Sequence, residues 1–62
     1  MDVATLSELL REAEQHHGAY EAVAPAHHWS DWYAPYIVAR AEGRSADEAV
    51  GAAGRHMDEL RG

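Results

Sequence analysis

Helix-stopping residues at Pro25 and Gly43 divide this chain into three segments, and each segment repeats its apolar residues at helical spacing. Proline lacks the amide donor that a helix interior requires, and glycine favours the position just after a helix end. The alternation of apolar and polar residues that is typical of strands is missing from the sequence. We therefore predict an all-α fold, a small three-helix bundle with helices at about 6–23, 30–42 and 46–60.

The first segment opens on Thr5-Leu6-Ser7-Glu8. This fits the capping box, in which a hydroxyl and a carboxylate satisfy each other's backbone amides, so a helix is expected to begin near Leu6. It should continue to about Val23, although Gly18 offers an earlier stop. One face of the helix would carry Leu6, Leu9, Leu10, Ala13, His17, Tyr20 and Ala24.

The second segment has an unusually aromatic stripe. Ser30 or Asp31 offers a side-chain oxygen for the helix start, and Pro35 near the first turn predicts a bend without a break. The residues at helical spacing are Trp29, Trp32, Tyr33, Tyr36, Ile37 and Arg40.

The third segment begins with a second capping box, Ser45-Ala46-Asp47-Glu48, directly after the three-residue connection 43–45. So short a connection makes the second and third helices antiparallel neighbours. The small side chains of the third helix would let large rings approach closely; its predicted face is Ala46, Ala49, Val50, Ala53, Met57 and Leu60. The alternative architecture is a two-helix hairpin with a loosely docked additional helix.

Size and charge limit what such a chain can do. At 62 residues without cysteine it forms one domain, 1–62, and a core this small favours assembly with another chain, either a homo-oligomer or a larger protein partner. Eleven carboxylates against five arginines argue against nucleic acid and anionic membranes, whose phosphates attract basic proteins. The amino terminus lacks the pattern of a secretory signal, which predicts a cytoplasmic protein.

Histidines and carboxylates form a candidate metal site. Glu14, His17 and Glu21 are spaced one helical turn apart, and a carboxylate one turn from an imidazole is a common ligand arrangement. The sequence predicts that a divalent transition metal, if one binds, uses Glu14, His17, Glu21, His28 and Asp31. The competing interpretation is that His17 is a core histidine hydrogen-bonded to Tyr20, Tyr33, Tyr36 or Asp31, which would make the fold or an interface sensitive to mild acid.

The aromatic group gives the leading functional hypothesis. Tryptophan and tyrosine dominate the energetics of protein interfaces, so we expect a binding module that self-associates or docks on a larger protein. The interface residues would be Tyr20, Trp29, Trp32, Tyr33, Tyr36 and Ile37. The alternatives are that these rings only form the core, or that the chain binds a metal or small ligand. No enzyme motif is present, so catalysis by the isolated chain is not expected.

The segments His17-Gly18-x-Tyr20-Glu21 and Trp29-Ser30-Asp31-Trp32-Tyr33-Ala34-x-Tyr36 resemble short helical segments of actinobacterial proteins. Some of those segments look like companions of, or appendages to, glyoxalase and bleomycin-resistance-like chains of the vicinal oxygen chelate class. The chain itself lacks the βαββ pattern and the spaced metal ligands of that fold. The resemblance therefore implies a small accessory module that works beside another protein, and it implies no reaction.

Overall fold

A computed structural model of the chain describes residues 1–22 and 27–61, which form three α-helices and contain no strand. Helix α1 spans Val3–Glu21, α2 spans Trp29–Ala41 and α3 spans Ala46–Arg61. The predicted all-α three-helix bundle is confirmed. The predicted end of the first helix at Val23, the face position Ala24 and the stop at Pro25 lie outside the described residues.

Helix α1 begins three residues earlier than its capping box predicts, and that prediction is wrong. Asp2 is the N-cap, and its Oδ1 accepts a hydrogen bond from the Thr5 amide at 3.1 Å. Hydrogen bonding to Thr5 holds the pKa of the Asp2 carboxyl below its usual value. An aspartate at this position caps as well as a hydroxyl does, and using it adds almost one helical turn. At the other end, α1 continues through Gly18 and ends at Glu21.

Helix α2 begins at Trp29, with His28 in the N-cap position and no side-chain hydrogen bond to the cap. Ser30 and Asp31 therefore lie within the first turn, and the expectation that one of them caps the helix is wrong. The Asp31 carboxylate lies near the positive end of the helix dipole, which is the favourable end for an acid. The helix runs unbroken through Pro35, as the sequence predicts.

The turn between α2 and α3 follows the sequence closely. Gly43 has φ of +93°, its amide donates to the Arg40 carbonyl at 3.0 Å, and the Arg44 amide donates to the Ala39 carbonyl at 3.1 Å. This pair of bonds is the Schellman arrangement, which glycine permits because it adopts positive φ without strain. The second capping box is confirmed, since Ser45 and Glu48 exchange hydrogen bonds of 2.9 and 3.2 Å.

Helix α2 is the centre of the bundle. It packs extensively on α3 and less extensively on α1, whereas α1 and α3 barely meet among the described residues. Its fully buried Trp32 and Tyr36 are stacked, with ring centroids 5.3 Å apart. The core that surrounds these rings is made mostly of small residues: Ala13, Ala39, Ala49, Ala53 and Met57. The predicted pairing of large rings with a small-residue helix is confirmed.

Several positions on the predicted apolar faces are exposed instead of buried. Leu6 and Leu10 of α1 are 40% and 38% exposed, and Val50 and Leu60 of α3 also face solvent. The predicted faces are wider than the surfaces that become buried, because α1 and α3 each pack on one main neighbour, α2. Over residues 1–22 and 27–61, no helix has the length and apolar character needed to cross a membrane.

Candidate functional site

The His17 ring lies inside an aromatic enclosure at the α1–α2 contact, and the residue is only 6% exposed. Four rings surround it at centroid distances of 4.9 to 6.3 Å: Tyr20, His27, Trp32 and Tyr33. The prediction that His17 is a hydrogen-bonded core histidine is confirmed, but the hydrogen-bond partners differ from those expected.

Each ring nitrogen of His17 has its own partner. Nε2 lies 2.7 Å from Nε2 of His27, and Nδ1 lies 3.3 Å from a carboxylate oxygen of Glu21. A bond between two imidazole nitrogens needs one proton, because one nitrogen donates it and the other accepts it. The pair therefore joins the buried face of α1 to the residues just before α2.

The predicted metal ligands are spread over several surroundings. His17 and Glu21 are in contact, and Glu14 lines a groove with Trp29 and Tyr33. Exposed His28 occupies the N-cap of α2, and Asp31 lies in the first turn of that helix. Within residues 1–22 and 27–61, no three His, Asp or Glu residues are arranged to hold a metal ion. The contacts of His17 explain this, because Glu21 and His27 meet opposite nitrogens of the same ring.

The predicted interface residues separate into three layers. Trp32 and Tyr36 are fully buried, and Tyr20, Tyr33 and Ile37 are half-buried against the core. Trp29 is 61% exposed and meets Tyr33 edge-to-face, with ring centroids 5.1 Å apart. In this conformation the two buried rings support the surface from beneath, and only the other four are accessible to a partner.

Trp29 and Tyr33 form one wall of an open groove of about 360 Å³ between α1 and α2. The other wall is α1, which contributes Ser7, Leu10, Arg11 and Glu14. Burial raises the pKa of the Tyr33 phenol, and the charges of Glu14 and Glu21 act in the same direction. We call this surface the groove face and define it as the six lining residues together with the neighbouring exposed Leu6.

A second polar group lies across the α1–α2 contact. Glu12 Oε1 accepts hydrogen bonds from the Tyr36 hydroxyl at 2.5 Å and from Arg40 Nε at 2.6 Å. The bond from Arg40, followed by that from Tyr36, holds the pKa of the Glu12 carboxyl below its usual value. Burial, reinforced by the bond to Glu12, raises the pKa of Tyr36 to about 12. Arg40 also donates to the Arg44 carbonyl at 2.7 Å, so the group extends to the α2–α3 turn.

Sequence reasoning missed His27 as the partner of His17, and it missed the Glu12–Arg40 pair. A signal for His27 exists, because a buried imidazole needs a partner on each nitrogen and a second histidine is present in the short connection before α2. A weaker signal for Arg40 is its place on the aromatic stripe, where a charged head requires a counter-ion or water.

Comparison of the chain with protein-family models, with curated proteins and with solved structures found no match.

Proposed function

We propose that this chain is a small helical interaction module that binds another protein chain through the groove face. The observation that carries this proposal is the position of Trp29. Its ring is 61% exposed, rests against Tyr33 and lines a groove whose opposite wall includes Leu10. A tryptophan held in this way presents a large apolar area that a partner can cover without first ordering the side chain.

The surroundings of Trp29 support the same proposal. Exposed Leu6 and Leu10 extend the apolar surface along α1, and Arg11 and Glu14 border it. An apolar centre with a polar rim is the usual composition of a protein interface. Exposed apolar side chains that adjoin one another on a small domain commonly mark a binding surface, whereas isolated ones do not.

Packing beneath the groove face supports the side chain of Trp29. Trp32 is fully buried beneath Tyr33, with ring centroids 6.2 Å apart, and Tyr33 in turn supports Trp29. The buried ring therefore supports the half-buried one, and only the exposed ring of Trp29 is largely open to a partner. A role as an accessory module beside a larger protein agrees with the resemblance noted for the Trp29–Tyr36 segment. The proposal itself rests on the groove face alone.

The test compares two charge-matched variants in the full chain. Leu10→Asp places a carboxylate in the groove, and Val38→Asp places one on α2 at a side chain that is exposed and does not line the groove. Each protein is used to isolate bound chains from its source cells, and each chain found is purified and titrated back. We expect a partner that binds the wild type and Val38→Asp alike and binds Leu10→Asp about ten-fold or more weakly.

Light scattering on the purified chain measures self-association. Self-association would also support the proposal if Leu10→Asp abolished it and Val38→Asp did not. A strictly monomeric chain for which no purified partner distinguishes the two variants would overturn the proposal.

A further inference from the structure

The groove face has the shape of a binding site for one more helix, in addition to α1, α2 and α3. Its α1 wall is Ser7, Leu10, Arg11 and Glu14, spaced i, i+3, i+4 and i+7, so it follows one side of that helix for about 10 Å. Its α2 wall is Trp29 and Tyr33, one turn apart. Two helices that form the walls of a groove can receive the side-chain ridge of another helix, which is a common mode of peptide recognition.

The charges around this groove are mainly negative. Exposed Glu14 lines the groove and takes part in no salt bridge within the described residues, and the charge of Glu21 acts together with that of Glu14 on the Tyr33 phenol. Arg11 is the one cation of α1, and its guanidinium donates to the Ser7 hydroxyl at 3.4 Å. The whole chain carries a formal charge of −6. An occupant of the groove therefore meets an excess of negative charge.

From shape and charge together we infer that the groove takes an amphipathic helix of another protein, with an apolar face and lysine or arginine residues beside it. This inference rests on the proposed function and names the chemistry of the partner. A second copy of this chain would bring the same excess of carboxylates to the contact. Separations across such an interface are comparable to the Debye length of about 8 Å at physiological salt, so that repulsion is only partly screened.

The experiment uses two labelled peptides of about 18 residues, a length near that of α1, with the same leucine face at helical spacing. One peptide carries lysine at all the remaining positions, and the other peptide carries glutamate at those positions. Fluorescence anisotropy measures the binding of each peptide to the full chain, to Leu10→Asp and to Val38→Asp. Because both variants gain one negative charge, general attraction of lysine would be equal for the two.

We expect the lysine peptide to bind at least about ten-fold more tightly than the glutamate peptide, and to weaken as salt rises from about 0.05 to 0.5 M. Leu10→Asp should lose about ten-fold or more in affinity for the lysine peptide, while Val38→Asp retains wild-type affinity. Circular dichroism should show that the bound peptide gains helix.

Three results would overturn the inference. Equal binding of both peptides, or tighter binding of the glutamate peptide, would rule out a basic partner. The groove would then remain a docking surface for a partner of other chemistry. Equal affinity of both variants for the lysine peptide would show that attraction is general and does not use the groove. Failure of both peptides to bind, when a purified natural partner still distinguishes Leu10→Asp from Val38→Asp, would remove the helical partner and leave the proposed function intact.

Discussion

Glu12 of α1 and Arg40 of α2 are joined by an ion pair of 2.6 Å, and the hydroxyl of fully buried Tyr36 donates to the same Glu12 oxygen. Since α1 packs mainly on α2, this group links α1 to the α2–α3 hairpin. Replacing the carboxylate with a neutral amide would keep an acceptor oxygen, but it would take the counter-ion from Arg40 and weaken both hydrogen bonds.

Glu12→Gln should therefore lower the free energy of unfolding at pH 7 by about 1 kcal/mol. The pKa of Glu12 is lower in the folded protein than its usual 4.5. A lowered carboxyl pKa adds stability above the unfolded value, and this stability is lost as the pH falls through the folded value. Urea unfolding from pH 7 down to 3 should thus show a shallower loss for Glu12→Gln than for the wild type. Exposed Glu14→Gln is the control, and parallel curves for wild type and Glu12→Gln would contradict the prediction.

Two glycines should respond to alanine in opposite directions. Gly43 has φ of +93°, a conformation in which a Cβ is strained, so Gly43→Ala should destabilise the protein by about 1 kcal/mol. Gly18 lies inside α1, and a Cβ there meets no heavy atom within 4 Å, so Gly18→Ala should stabilise by about 0.5 to 1 kcal/mol. Thermal and urea unfolding of the two variants would check this, and shifts of the same sign would show that one of the two backbone assignments is wrong.

The two tryptophans should report opposite environments. Trp29→Phe leaves only buried Trp32, which should emit at short wavelength and resist quenching by acrylamide. Trp32→Phe leaves only exposed Trp29, which should emit at longer wavelength and be quenched readily, and the lost core volume should cost about 1 to 3 kcal/mol. Trp29→Phe should change stability by less than about 0.5 kcal/mol. Similar quenching constants for two folded variants would contradict the layered arrangement of the aromatic residues.

Local sequence signals predicted the features that depend on a few neighbouring residues. The Gly43 turn and the Ser45–Glu48 capping box form within one short stretch of chain, and both are present as expected. The Thr5–Glu8 box failed for an equally local reason, since Asp2 offers a competing cap that lengthens the helix. Periodicity identified the aromatic stripe but could not separate Trp29 from Trp32, because residues three apart share a face and only packing decides which one is covered.

The candidate sites depend on contacts between distant parts of the chain, which the sequence pattern does not encode. Glu12 and Arg40 are 28 positions apart, and they meet because α1 packs against α2 at these two residues. His17 and His27 are 10 positions apart, and their contact depends on the path of the chain between α1 and α2. The groove face follows from the exposure of Leu10, which the apolar pattern alone assigns to the core.

The contact between His17 and His27 should stabilise the fold, because it supplies the partner of Nε2 on a histidine that is only 6% exposed. His27→Leu would take away this partner, which lies 2.7 Å from the buried nitrogen.

We expect His27→Leu to lower the free energy of unfolding by about 1 kcal/mol at a fixed pH of 8, as measured by urea unfolding. His27→Gln, whose amide can still form a hydrogen bond with His17, should lose less. Exposed His28→Leu is the control and should change the free energy of unfolding by less than about 0.5 kcal/mol. Equal unfolding free energies for the wild type and His27→Leu would show that the 2.7 Å contact does not stabilise the fold.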